Sequence, residues 1–548
     1  MNLARKYPAL VIAIVAVIAS ISGLMNGFAF DDVHVIIKNP RLHTFAQPLG
    51  LFTETYWRAE MGSMLYRPMT MVVFAIQWVI GNGSPLPFHL TSILLYAVLS
   101  AAVYRLAELI MPLRAAFAAA AVFAVHPVHV EAVANVVGQA ELWVALILVG
   151  LVALYIPRRR KGTLGPLEIA LVAFGYLAAC SFKEHAIVLP ALLLAAEFSV
   201  IGDSRSKGDR FRSLMPLLVS MAIAGATFVF ARYTVLHGVA IDSTAPILKG
   251  QAFSTRFFTM LGVVTEWVRL MVWPMSLSAD YSYPRIRTHD SFDMSMLPAL
   301  AVLVGTAFIA WHFRKRFPVI LFGVAWIGIA LLIPSNLFVV TGFVLAERTL
   351  MLASVGFALC AGVVASEAMV AAAASGERGR QLATVVIAVL LVAFGVRSVT
   401  RSPVWHDNDT LFLQTVQDVP SSHRAHWMRA VDLAEKNRTG EALEEMDMAV
   451  VLGDQRDPLL LAYAGDLFAV NGRCPRAITL YRRALALAPG NVQLRANTSF
   501  CLLSIGKWEE AKAIALAAGD DSRDLRLQQI VHRADSLQQV RGAVMSKR

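Results

Sequence analysis

The chain has 548 residues, of which 57% are hydrophobic and only 16% charged, with a formal net charge of +11 and a mean hydropathy of +0.59. That balance excludes an ordinary soluble globular protein and points to an integral membrane protein. The length exceeds one ordinary domain and the last part is more polar, which predicts a membrane domain over 1–400 and a soluble domain over 401–548.

The first apolar run, 7–25, follows Arg5 and Lys6. It lacks a small-residue cleavage site and many spans follow, so it reads as a retained first helix rather than a removed signal. Directly after it comes FAFDDVHVIIKNP (Phe28 to Pro40), which sets Asp31 beside Asp32 at the membrane edge. Further runs long enough for about 30 Å of hydrocarbon lie at 88–108, 113–130, 139–157, 165–182, 185–202, 213–237, 294–312, 318–334, 346–369 and 381–399, giving eleven spans.

Charge decides the status of two more runs, 66–82 and 253–273. With eleven spans, Arg158 to Lys161, Arg205 to Arg212, Arg314 to Arg316 and Arg378 to Arg380 share one side with Arg5 and Lys6, as the positive-inside rule requires. A span at 66–82 would put Arg158 to Lys161 on the other side. The 253–273 run carries Arg256, Glu266 and Arg269 and reads as an amphipathic helix on the outer face. The positive charge is therefore a topology signal, not a nucleic-acid signal.

An odd number of spans sends the C-terminal part to the face opposite the N-terminus. There Ala442, Ala477 and Ala511 begin similar helices at intervals of 35 and 34 residues, the period of tetratricopeptide repeats. Leu461, Gly465, Phe468, Ala477, Tyr481, Ala484 and Pro489 occupy the small, large and terminating positions of the middle copy, and the third copy ends in GDDSRD. About three helix pairs are enough to bury a shared core and leave a concave face for a protein or peptide. Cys474 and Cys501 fall near adjacent helix ends, as two buried thiols or, in an oxidising compartment, a disulfide.

The same topology collects five stretches on the outer side: the first loop, HPVHVEAVANVVG (His126 to Gly138), SFKEH (Ser181 to His185), SADYSYP (Ser278 to Pro284) and SNLFVVTGFVLAER (Ser335 to Arg348). Ionisable groups at a membrane edge are costly, and their convergence on one face argues for function. Asp31 or Asp32 can act as a general base; a carboxylate with a like-charged neighbour at a low-dielectric boundary has one pKa raised. Arg348 and Lys183 are single cations in apolar outer segments and suit a phosphate, with Arg67 third; Glu347 and Glu184 are their neighbours in sequence. His126, His129 and Glu131 can hydrogen-bond a phosphate, orient the Asp pair or, less readily because Pro127 interrupts them, hold a metal. Asp280, Tyr281 and Tyr283 frame an acceptor or sugar, or anchor the chain at the interface.

The DD and NP of the first loop, YRPMTMVVFAIQWVIGNGSPLPFHLTSILLY (Tyr66 to Tyr96), HPVHVEAVANVVG, FKE, SADYS and the final ER together resemble the transmembrane and tetratricopeptide repeat-containing O-mannosyltransferases and their bacterial relatives, of the type C glycosyltransferase superfamily. The resemblance implies a polyprenyl-phosphate sugar donor used on the extracytoplasmic side, an acidic catalytic residue in the first loop and a repeat domain near the acceptor. No Walker loop, dinucleotide fingerprint or nucleophile elbow is present. The expectation is an all-α polytopic membrane glycosyltransferase with a tetratricopeptide-repeat α-solenoid, moving a sugar, mannose first, to a protein hydroxyl. The N-terminus is placed in the cytoplasm of a bacterial inner-membrane protein and the repeats in the periplasm. No cofactor is implied, with a divalent metal left open; the partners are the polyprenyl-linked sugar, an acceptor protein and the bilayer, and no nucleic acid. Transfer to a glycan or lipid, or a non-catalytic repeat-bearing scaffold for envelope assembly, are the alternatives.

Overall fold

The computed structural model describes residues 6–57, 65–202, 205–237, 248, 250–453, 457–517 and 524–545. Arg5 and Gly519 to Arg523 of the GDDSRD segment lie outside them. Among the described residues every regular element is helical, so the chain is all-α.

It divides into two compact units, Met1–Ser282 with Ile286–Leu411, and Phe412–Arg548 with Tyr283–Arg285. The division falls past the 400/401 boundary placed by composition. Residues at and just after the end of the last long helix belong to the first unit and clasp its first loop. Asn26 Nδ2 donates to Ser402 O at 2.9 Å, Gly27 N–H to His406 O at 2.8 Å and Phe30 N–H to Asn408 Oδ1 at 2.7 Å.

Among the described residues seven helices of the first unit are long and apolar enough to cross a bilayer: Pro8–Met25, Leu86–Glu108, Val136–Lys161, Lys207–Leu236, Met294–Phe313, Glu347–Ala374 and Glu377–Trp405. An eighth results if Leu113–Val125 and Pro127–Ala134, bent by 47°, count as one span. The eleven expected are not reached. The other three runs form helices that are too short by this measure: Pro166–Phe182 has 17 residues, Leu189–Ser199 has 11 and Pro318–Ala330 has 13. At 1.5 Å per residue the last covers only about 20 Å. Local chemistry explains two of the breaks. Pro127 cannot continue the helix before it, and the chain at Lys183 turns extended (φ −160°) before a tight 3-10 turn over Glu184–Val188.

Small residues let these helices approach. A Cβ on Gly362 would stand 2.5 Å from Ala115 O and 2.6 Å from Ala119 Cβ, and one on Gly323 would stand 2.7 Å from Gly356 O. Close backbone contact is how helices associate where lipid removes the hydrophobic drive between them. The Pro68–Gly81 and Phe253–Val272 helices are not among the seven; the latter buries Thr259, Val263, Trp267 and Leu270 and exposes Phe253 and Phe257.

The second unit stacks three antiparallel pairs: His423–Glu435 with Thr439–Leu452, Pro458–Val470 with Cys474–Leu487, and Val492–Ser504 with Trp508–Leu516. Ala442, Ala477 and Ala511 are all fully buried at the helix crossings, as the repeat spacing predicted. Cys474 and Cys501 are buried thiols, and burial, with Cys474 beside it, pushes Cys501 up to about 12.

Candidate active site

The first loop is built to present one carboxylate and bury the other. Its clasp to the residues after the last long helix holds Phe30 in the left-handed region (φ 58°), a conformation costly for a bulky side chain. Asp31 and Asp32 follow, and then a π-helical turn over Val33–Ile37, an irregularity frequent at functional sites.

Asp32 is fully buried. Its Oδ1 accepts Val137 N–H at 2.8 Å, and its Oδ2 accepts Val136 N–H at 3.2 Å and Ala29 N–H at 3.4 Å. Burial pushes this carboxyl up to about 7, against the pull of those three amides. Asp32 therefore ties the first loop to the turn after Ala134. Asp31 is only part-buried, and its Oδ2 accepts from Arg348 Nη2 at 3.2 Å. The pair that looks symmetric in sequence is divided between a fixed and an accessible carboxylate.

From Arg348 the network reaches the other loops. The Arg348 amide donates to Glu131 Oε2 at 2.9 Å and its Nη1 stands 3.2 Å from Glu131 Oε1. The guanidinium also lies over Phe343, 5.3 Å from the ring centre. Lys183 is paired with Glu141, and His185 Nε2 lies 3.3 Å from the same carboxylate. Arg67 makes a two-pronged bridge to Glu184, 3.0 Å and 2.7 Å. Burial alone would lift Glu184, but the Arg67 guanidinium outweighs it and holds the carboxyl below its usual range. Burial keeps the Lys183 ammonium below the usual lysine range despite Glu141.

The fourth stretch joins through Glu347. Its Oε1 accepts Ser278 N–H at 2.7 Å and Tyr281 Oη–H at 2.5 Å, so Tyr281 and Glu347 bind the two loops together. Asp280 closes its own turn, accepting from Ser282 Oγ at 2.8 Å. Tyr283 is exposed. Four of the five stretches are thus bonded to one another, and the fifth, Ser181 to His185, is tied to them electrostatically through Glu141 and Arg67, which act on Arg348.

His126 and His129 are engaged by groups other than the Asp pair. His126 Nε2 donates to Met271 O at 2.8 Å while Nδ1 accepts Val128 N–H at 3.2 Å. His129 has Tyr96 Oη at 2.8 Å from Nδ1 and Ser354 Oγ at 2.7 Å from Nε2. With Glu131 on Arg348, the three residues serve different partners. Among the described residues no three His, Cys, Asp or Glu side chains are arranged to hold a metal.

Two residues of the site were not singled out in the sequence. Glu141 sits in the first turn of the Gln139–Lys161 helix, and an acid inside an apolar run was its signal. Tyr56 is buried, with Arg67 5.1 Å from its ring centre and no hydrogen-bond partner for its hydroxyl among the described residues; nothing in its local sequence marks it. Chemically, the arrangement offers an accessible carboxylate that can take a proton, beside cations that can hold a phosphate.

These features define a polytopic helical membrane protein with a polar site at one end of its helix bundle and a separate repeat unit. The tetratricopeptide-repeat family profile matches residues 471–532. The chain is similar to the transmembrane and tetratricopeptide repeat-containing protein O-mannosyl-transferases. It is 24% identical to one from Caenorhabditis elegans over 79% of this chain and 61% of that protein. With TMTC3 of Mus musculus it shares 25% over 79% and 48%, and with TMTC4 of Homo sapiens 26% over 79% and 65%. The chain therefore spans about half to just under two thirds of the length of these relatives. Among solved structures, the Archaeoglobus fulgidus oligosaccharyltransferase AglB aligns over 73% of this chain and 56% of its own at 14% identity, with a TM-score of 0.43.

Proposed function

We propose that this chain is a membrane glycosyltransferase that moves a sugar, mannose in the first instance, from a polyprenyl-phosphate donor to a protein hydroxyl on the extracytoplasmic face. The observation that carries the reading is the part-exposed Asp31 carboxylate, held by Arg348 where five loops converge. The similarity to protein O-mannosyl-transferases supports the sugar and the acceptor class.

In this reaction Asp31 takes the proton of the acceptor hydroxyl. The hydroxyl oxygen bonds to the anomeric carbon as the bond from that carbon to the phosphate oxygen breaks. Polyprenyl phosphate departs with the electron pair and one more negative charge. Arg348, Lys183 and Arg67 supply positive potential for that charge in a low-dielectric site, where such stabilisation is worth most. Asp32 and Glu347 fix the loops, and the three-pair solenoid offers a surface for the acceptor.

Helix polarity supports the side. Glu141 lies in the first turn of the Gln139–Lys161 helix and Arg158 to Lys161 in its last, about 30 Å apart at 1.5 Å per residue. Glu347 and the Arg378 to Arg380 cluster likewise flank the Leu350–Ala374 helix. A site at the ends opposite the basic clusters faces away from the cytoplasm, and the chain leaves the first unit at that same end.

The test offers the purified, full-length protein a serine- and threonine-containing peptide with either a synthetic mannosyl-phospho-polyprenol or a nucleotide-activated mannose. Transfer from the lipid donor alone is expected. Transfer only from the nucleotide sugar, or from neither, would overturn the reading.

A further inference from the structure

The Lys207–Leu236 helix packs one stripe against the rest of its unit: Leu217, Met221, Ala224, Phe228, Arg232 and Leu236 are buried along it at helical spacing. Five are apolar and Arg232 is not. Its side chain is only 7% exposed. Neither Nη1 nor Nη2 has a hydrogen-bond partner among the described residues. An isolated buried guanidinium is among the costliest groups to place in a protein, and it persists where a ligand uses it.

Its neighbourhood is the candidate active site. Phe228, one turn earlier on the same face, meets the Tyr66 ring at 6.0 Å, and Tyr66 precedes Arg67. Arg232 interacts electrostatically with both Glu184 and Arg67. Charge counting shows what it adds. Arg67 is bridged to Glu184, Lys183 to Glu141, and Arg348 to both Asp31 and Glu131. Those cations are engaged by carboxylates that outnumber them, so the pull they exert on a phosphate is partly offset. Among the described residues Arg232 is the cation of this group with no bridging carboxylate.

We propose that Arg232 is a binding residue for the phosphate of a lipid-phosphate donor; this rests on the function proposed above. A planar guanidinium fork matches two phosphate oxygens. The surroundings suit a lipid rather than a free anion. Val229, Phe230 and Tyr233, on the other side of the same helix turn, are exposed on a helix apolar enough to span a bilayer. A prenyl chain can therefore lie along the helix while its phosphate turns in to Arg232. When the sugar leaves, the phosphate gains a charge where the positive charge is least compensated.

The test measures binding of three probes to the purified full chain: a short polyprenyl phosphate, the chain-matched polyprenol and inorganic phosphate. The variants are Arg232→Met, which keeps bulk in an apolar stripe, and Arg232→Lys. Wild type is expected to prefer the lipid phosphate over both other probes. Arg232→Met is expected to weaken lipid-phosphate binding by ten- to a hundredfold, leave polyprenol binding unchanged and raise thermal stability without ligand. Arg232→Lys should recover part of the binding. Unchanged lipid-phosphate affinity in Arg232→Met, or equal loss of polyprenol binding, overturns the assignment of Arg232, and so does destabilisation of both variants. No preference for the lipid phosphate in wild type overturns the donor class itself. Inorganic phosphate competing as well as the lipid phosphate overturns the lipid source.

Discussion

Asp31 and Asp32 differ by one position in sequence and by their whole environment in space. The difference comes from residues about a hundred positions away: the Val136 and Val137 amides arrive on Asp32 and leave Asp31 to Arg348. No local pattern encodes that choice, so the sequence kept both as candidates. Because both Asp32 oxygens accept N–H groups, an amide there must turn its NH2 toward at least one backbone donor. Asp32→Asn should therefore cost about 1–3 kcal/mol of stability. The carboxyl, at about 7 in the folded protein, lies above its usual value near 3.9. Between these values the folded chain holds a proton that the unfolded chain has released, so stability falls as pH rises through that window. Thermal melts from pH 4 to pH 8 should show that decline in wild type and a shallower one in Asp32→Asn. A decline unchanged by the substitution would place the titrating group elsewhere.

At the scale of elements, apolar runs and prolines were readable, while helix length was not. The runs at 165–182, 185–202 and 318–334 look like spans in hydropathy, but their helices stop short; the first two are broken at Lys183 to His185, polar loop residues of the site. Arg232 and Glu141 were not singled out because each is a single charge inside an otherwise apolar run, outside the five outer stretches. The repeat unit was legible because period, small-residue positions and turns all agree. Glycine contacts were not legible without the helix crossings. Gly362 lets the Leu350–Ala374 helix touch Ala115 and Ala119, and Gly362→Leu should force the two helices apart at a cost of about 1–3 kcal/mol. Loss of thermal stability without change in the lipid-phosphate affinity of the folded fraction is the expected outcome. A melt equal to wild type would show that the crossing tolerates the side chain.

For the whole molecule, the convergence of five separated loops was the inference that mattered, and hydrogen bonds and ion pairs join four of them at the ends of the helices opposite the basic clusters, while Lys183 and Glu184 of the fifth pair with Glu141 and Arg67, which act electrostatically on Arg348. The long helices separate a basic end from a polar site by roughly the thickness of a bilayer. The measurement that reaches this account most directly is sugar transfer from mannosyl-phospho-polyprenol to peptide by purified wild type and Asp31→Asn, with melting recorded in parallel. Asparagine keeps the size of Asp31 and removes the proton acceptor. Turnover should fall by about two to four orders of magnitude while the melting temperature stays near wild type. Near-wild-type transfer by a folded Asp31→Asn protein would contradict the account and move the base to another residue.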